Sequence, residues 1–216
     1  MFTEGDRPSK LSAFIKESNS GAIVTSYLKN ETPAQNQAAL VEADQISSVY
    51  AKRKLFGGEV NMVTPGNKAV AVPFSGTQVG LNICFDSCFP SIMGQTASLP
   101  GVGLIALPTI DPPSTHHFVA KMHSAFTPFR AAELGLPIIR ADGYAYSQIV
   151  DSIGTIIAEA EPGVTSLVAD ITPGRRWTLY SLIGNGWFAF YFGLIAFYWV
   201  RRWKEPKAEK PRAHGL

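Results

Sequence analysis

Cys84 stands in the stretch Asn82-Ile83-Cys84-Phe85-Asp86-Ser87-Cys88-Phe89-Pro90, at the end of an apolar run that reads as a strand. A cysteine at a strand's C-terminal end, followed by a turn, can be exposed above a sheet and attack an acyl carbon. A lone cysteine otherwise behaves as a small buried hydrophobe, and Cys88 is read that way. A disulfide between the two would close a strained local loop. Two cysteines in 216 residues also exclude a disulfide framework and a four-cysteine zinc site. His116, His117 and His123 offer metal-ligand chemistry, and His116 and His123 fall two turns apart on one face of an expected helix. No third ligand with suitable spacing accompanies them, so neither a metal nor another cofactor is expected. Lys52 lies in the run Lys52-Arg53-Lys54, which on charge alone is a solvated patch.

The elements that must position these groups follow from periodicity. Leu11, Phe14 and Ile15 recur at helical spacing, predicting an amphipathic helix over residues 9–19 that Gly21 ends. Strands are predicted over residues 22–28, 36–42, 69–74 and 79–84, with Ser75-Gly76 as a hairpin turn. Residues 103–108 form a continuous apolar run, the pattern of a strand buried on both faces. Residues 114–134 read as a helix in which Pro128 starts a new turn or makes a kink. Four short strands follow over residues 136–141, 146–151, 155–159 and 165–170. Strands with interspersed helices predict an α/β or α+β fold in which helices cover a sheet.

Composition excludes some classes. A hydrophobic content of 46% rules out a disordered chain. Charged residues make up 17%, below the roughly 25% of soluble domains, so part of the chain is expected to avoid water. The last sixteen residues hold six Lys/Arg and two Glu, a net +4 that leaves −2 for the rest. A mildly acidic body is not a nucleic-acid binder.

Residues 182–200 carry no charge, and all four tryptophans lie in or beside them. Nineteen helical residues at ~1.5 Å each reach roughly 28 Å, about one hydrocarbon core, so one C-terminal transmembrane helix is predicted. The excess of Lys/Arg beyond it places the tail in the cytoplasm and the domain on the other side of the membrane.

Several motifs occur in order: Tyr50-Ala-Lys52 through Leu55 to Gly58-Glu59, Ile83-Cys84-Phe85-Asp86, Met122-His123, Phe129-Arg130-Ala-Ala-Glu133 with Gly135, Arg140, and Asp151-Ser-Ile-Gly154. In this order they resemble the carbon–nitrogen hydrolase (nitrilase) superfamily, and within it the apolipoprotein N-acyltransferase branch. Phe85 and Asp86 are conservative departures from that branch's Tyr and Glu. The resemblance covers most of the chain and implies a nitrilase-type α-β-β-α sandwich. It also implies a Glu–Lys–Cys triad, with Cys84 as nucleophile and Lys52 lowering the thiol's pKa and stabilising the oxyanion. The backbone N–H of Phe85 would be a second oxyanion donor, Glu59 a second glutamate near the nucleophile, and Asp86 a supporting position. The general base would be Glu4, in Phe2-Thr3-Glu4, which precedes the first helix and strand as the family's glutamate does. The apolar strand expected ahead of it is missing, so the chain reads as a C-terminal piece or as one with a late start. His123 is read as a structural position of the family.

The resulting expectation is a hydrolase-like domain over residues 1–176, a transmembrane helix with its flanks over 177–203 and a basic cytoplasmic tail over 204–216. Three functions remain open. The first is an inner-membrane acyltransferase with a periplasmic domain, moving a fatty acyl group from a phospholipid donor to the N-terminal amine of an apolipoprotein. The second is an anchored amidase that hydrolyses C–N bonds. The third is a truncated domain without catalysis.

Overall fold

Buried apolar residues of two sheets meet in a shared apolar layer. The computed structural model describes residues 7–18, 23–29, 33–42, 46, 48–163, 166–184 and 186–204. It divides into two units, residues 1–181 and 182–216. In the first, helix α1 (Arg7–Ser18) precedes an antiparallel sheet of β1 (Ile23–Lys29), β2 (Gln35–Val41) and the short β3 (Tyr50–Ala51). The second sheet runs β4 (Val70–Phe74), β5 (Thr77–Leu81), β6 (Val102–Thr109), β7 (Ile138–Asp142), β8 (Ser147–Val150) and β9 (Ile156–Ala160) in spatial order. Strands β5, β6 and β7 are parallel and the outer pairs antiparallel.

Parallel neighbours need crossovers, and these crossovers carry the helices. Between β5 and β6 lie a 3-10 turn (Cys84–Cys88) and α2 (Pro90–Ala97); between β6 and β7 lies α3 (His117–Leu134). All of β6 is buried, as its unbroken apolar run requires. One face of the large sheet meets Ala38, Leu40 and Tyr50 of the small sheet through Val72, Leu81, Leu104 and Ala106. The other face packs Ile105, Leu107 and Ile138 against Met93 and Ala97 of α2 and Ala131 and Leu134 of α3. With α1 against β2 and Ile15 buried, the layers run α-β-β-α, the architecture expected from the sequence.

Four expectations are corrected. Strand β5 spans Thr77–Leu81, so Cys84 opens the following 3-10 turn instead of ending a strand. Residues 166–170 form no strand, and Thr165 lies outside the described residues. Pro128 sits within α3, which continues through it as one helix. The single helix expected over residues 182–200 is divided: α4 (Leu179–Ile183) stops at Gly184, φ +51°, and α5 runs Gly186–Lys204. The uncharged part of α5, residues 186–200, reaches only about 22 Å against the ~30 Å of a hydrocarbon core. Among the described residues no helix is long and apolar enough to cross a membrane. Glu4 and the tail from residue 205 onward lie outside the described residues.

Candidate active site

The turn after β5 gives Cys84 an unusual backbone. Its φ of +48° lies in the left-handed region, where a non-glycine residue is strained and is held only by its surroundings. Those surroundings are specific. Asp86 N–H donates to Ile83 O at 3.0 Å, Ile83 N–H donates to Asp86 Oδ2 at 3.0 Å, and Ser87 Oγ donates to Cys84 O at 2.9 Å. Cys84 is buried, and Phe85 follows it in the turn.

Lys52 directly follows β3, an edge strand of the small sheet. Its backbone is pinned on both sides, with its N–H on Asn36 O and its carbonyl accepting from Gly66 N–H, each at 2.8 Å. The side chain is 3% exposed, and Nζ meets Glu59 Oε2 at 2.6 Å. The solvated-patch reading of Lys52 is therefore wrong: a buried ammonium needs a partner, and Glu59 supplies it. Glu59 also accepts from Phe56 N–H at 2.9 Å and Asn36 Nδ2 at 2.8 Å. Burial pushes its carboxyl up, but the bonds from Lys52, Phe56 and Asn36 and the lysine charge hold it below its ordinary value. Lys54 is exposed and lies over the Phe89 ring at 4.9 Å, while the half-buried Arg53 donates to Gln95 Oε1 at 2.7 Å.

Asp86 joins the two segments. Its buried carboxylate accepts from Tyr50 Oη at 2.7 Å, Lys54 N–H at 2.8 Å and Arg53 N–H at 3.3 Å, besides Ile83 N–H. Burial pushes this carboxyl up, against the pull of those donors. The structure thus places Asp86 as a strut that docks the lysine segment on the cysteine turn.

Burial also raises the Cys84 thiol, while the charge on Lys52 draws it down, Asp111 raises it, and Arg140 and the Ile110 N–H draw it down. The net direction is up, so attack requires a proton acceptor. Cys88 is half-buried and pushed up to about 11 by burial. The expected base, Glu4, lies outside the described residues.

Asp111 was missed by sequence reading. Its one available signal is position: it follows the C-terminal end of an apolar parallel strand, where ligand-facing residues of open α/β sheets gather. His123 Nδ1 lies 2.8 Å from Asp111 Oδ1, and Arg140 donates to Asp111 Oδ2 at 3.1 Å and to Asp142 Oδ2 at 2.8 Å. Atoms of Cys84, Asp111 and His123 lie within 4.8 Å of one another. The fold therefore gathers the further donors that sequence spacing did not show. The Arg140 guanidinium already supplies the cation beside Asp111, so the cluster is an ion-pair network. The three histidines separate: His116 caps α3 by accepting from Phe118 N–H at 3.2 Å, and His117 meets Tyr146 Oη at 2.8 Å. Arg130 pairs with Glu133 at 2.6 Å, one turn before Gly135 caps α3, so this motif serves the helix.

Comparison with known proteins gives the same frame. Apolipoprotein N-acyltransferase 1 of Treponema denticola is 29% identical over 134 residues, covering 60% of this chain and 23% of that protein. Deaminated glutathione amidase of Escherichia coli O157:H7 is 27% identical over 187 residues, covering 80% of this chain and 69% of that protein. The solved NitN amidase of Nesterenkonia sp. AN1 superposes with a TM-score of 0.60 at 25% identity, over 72% of this chain and 65% of its own. A Glu-to-Gln mutant of the Nesterenkonia amidase shows Michael addition of acrylamide at its active-site cysteine. The chain thus spans under a quarter of the Treponema protein and about two thirds of the solved amidase. The carbon–nitrogen hydrolase family model matches residues 9–176, through every described element that carries the site, and the chain belongs to that family.

Proposed function

We propose that this domain moves a fatty acyl group from a phospholipid, through a thioester on Cys84, to the N-terminal amine of a lipoprotein. Cys84 attacks the ester carbon, and Lys52 with the Phe85 N–H receives the oxyanion. Glu59 holds Lys52, Asp86 positions its segment, and Glu4 serves as the glutamate base. The observation that carries the lipid substrate is an aromatic ladder beside the nucleophile. Phe85 lies 4.9 Å from the Phe56 ring and 5.2 Å from the Phe89 ring, and Phe56, Val60 and Met62 are exposed nearby in sequence. An acyl chain needs such an apolar wall, and a small amide does not. The names of the Treponema relative and of a Haemophilus influenzae apolipoprotein N-acyltransferase, 39% identical over 64 residues covering 29% of this chain and 12% of that protein, support the same reading.

An amidase is the second reading. The deaminated glutathione amidase covers a larger share of both chains than the Treponema relative does. The same cysteine chemistry serves both, with water in place of the amine as acceptor. Incubation with phospholipid followed by intact-mass measurement separates them. A hydroxylamine-labile fatty acyl adduct on Cys84 supports transfer; ammonia released from butyramide without such an adduct supports the amidase. Neither product, from a folded chain, supports a domain without catalysis.

The membrane part of the proposal rests on the exposed apolar side chains of α5 and its basic last turn, Arg201, Arg202 and Lys204, suited to anionic headgroups. A crossing would have to use the apolar turns on both sides of residue 185, because α5 alone is too short. The proposed placement, domain periplasmic and tail cytoplasmic at the inner membrane, follows the Lys/Arg excess beyond residue 200. A reporter fused after Leu216 that works only outside the cytoplasm should stay silent; activity overturns the placement.

A further inference from the structure

We propose that Asn36 is a positioning residue for Lys52. Its side-chain amide occupies one oxygen of Glu59, so the carboxylate grips the Lys52 ammonium through the other oxygen alone and leaves it free for the oxyanion at Cys84. This rests on reading Cys84 as the nucleophile and Lys52 as an oxyanion donor, and it holds whether an amine or water takes the acyl group.

The register of the small sheet brings the groups together. Gln37 stands opposite Ala51 and Ala38 opposite Tyr50. The next pair outward is Asn36 with Lys52, joined by the 2.8 Å bond from Lys52 N–H to Asn36 O. Side chains of directly opposed residues lie on one face of a sheet. Alternation along β2 gives Asn36 the face of Ala38 and Leu40, which pack in one cluster with Tyr50, Ile83 and Cys84. An apolar side chain is the ordinary occupant of such a face. The half-buried Asn36 instead donates from Nδ2 to Glu59 Oε1 at 2.8 Å. An ionised carboxylate only accepts, which fixes the orientation of the amide.

The two oxygens of Glu59 are thereby divided. Oε1 takes Asn36 Nδ2, while Oε2 takes Phe56 N–H at 2.9 Å and Lys52 Nζ at 2.6 Å. Donors from β2, from the residue after β3 and from the residue ahead of the 3-10 turn Gly57–Asn61 set the plane of the carboxylate, which is otherwise a soft, twofold rotor. An ammonium carries three N–H donors, and this arrangement spends one of them on Glu59. Without the amide, Oε1 is a bare acceptor beside the ammonium. The carboxylate then turns to offer both oxygens, and Nζ is drawn toward Glu59. The Lys52 charge reaches the Cys84 thiol and draws it down, so a displaced ammonium holds an anion forming there less well. The effect runs through Glu59 and Lys52 and needs no contact between Asn36 and the reacting atoms.

Two reactions of the full chain separate positioning from packing. p-Nitrophenyl butyrate acylates Cys84 through an oxyanion and releases p-nitrophenolate in a burst, with Cys84→Ala as the background. Iodoacetamide alkylates Cys84 without an oxyanion, and fragmentation of the labelled peptide locates the site. Asn36→Leu is expected to slow the burst on the order of ten- to a hundredfold, the scale of a misplaced catalytic group. Its alkylation rate on the plateau of the pH profile should match wild type. In Asn36→Asp two carboxyls face each other beside Lys52, and a proton shared between them at lower pH restores a donor to Glu59. The burst rate of that variant relative to wild type should therefore rise as pH falls. Circular dichroism checks folding, and Asn36→Asp carries the test should Asn36→Leu not fold. An Asn36→Leu burst equal to wild type, equal slowing of both reactions, or an Asn36→Asp ratio that is flat with pH overturns the proposal while leaving Cys84 as nucleophile. A wild type that alkylates without a burst removes Lys52 as oxyanion donor, and this inference with it. A wild type that does neither overturns the nucleophile reading as well.

Discussion

Tyr50 Oη donates a 2.7 Å hydrogen bond to Asp86 Oδ2 in the buried layer between the two sheets. Burial and the neighbouring carboxyl push the phenol far above its ordinary value, so it remains a donor. The bond sits at the start of the segment that delivers Lys52, while Asp86 sits at the turn that carries Cys84. One carboxylate thereby sets the lysine against the thiol. Removing it strands the Tyr50 hydroxyl and the N–H groups of Ile83, Arg53 and Lys54, and each unsatisfied buried donor costs roughly 1–3 kcal/mol. Asp86→Ala is expected to lose at least about 3 kcal/mol in urea unfolding, and Tyr50→Phe about 1 kcal/mol.

Glu59 makes stability depend on pH. Its carboxyl binds protons more weakly folded than unfolded, so the unfolded chain takes up more protons and stability rises with pH across its titration. The contribution is fully present above its ordinary value of 4.5 and is lost as pH falls through the lowered value. Glu59→Gln should flatten that acid limb of the urea midpoint against pH. An unchanged acid limb would remove the Lys52–Glu59 pair from the account.

The thioester chemistry divides by residue. Cys84→Ala should abolish the acyl adduct in intact-mass measurement, and Cys88→Ala should keep it. Lys52→Ala should slow adduct formation on the order of a hundredfold or more, the worth of one oxyanion donor. Glu4→Gln should slow it by about 10²–10⁴, the range acid–base catalysis supplies. Unchanged acylation in that variant would take Glu4 out of the site.

Gly135 is a backbone requirement. It caps α3 at φ +65°, and a Cβ there would collide with the Arg176 carbonyl, whose own N–H donates to Gly135 O at 2.7 Å. Gly135→Ala should cost more than the about 1–2 kcal/mol of a left-handed residue alone. Gly76→Ala, at φ +80° with open space around it, should cost only that strain. Thermal unfolding of the two variants separates the collision from the strain.

Local patterns in the amino-acid sequence determine much of this molecule. The apolar run of β6, the hairpin at Ser75-Gly76 and the long helix α3 each follow from an unbroken apolar run, a turn pair or a helical pattern. Each is written within a few turns of chain. The ordered motifs add the frame of the family and place Lys52 and Glu59 near the nucleophile. What local pattern cannot supply is contact between segments. Asp111, His123 and Arg140 meet only because parallel crossovers bring the ends of β6 and β7 and the middle of α3 beside the cysteine turn. On charge alone Lys52 reads as a surface residue, and only the tertiary structure buries it beside Glu59. The division at Gly184 likewise shortens a helix that hydropathy alone joins. Hydrophobic periodicity is a property of neighbouring residues, whereas the pairing of buried charges depends on which loops the topology makes adjacent, and only the tertiary structure decides that.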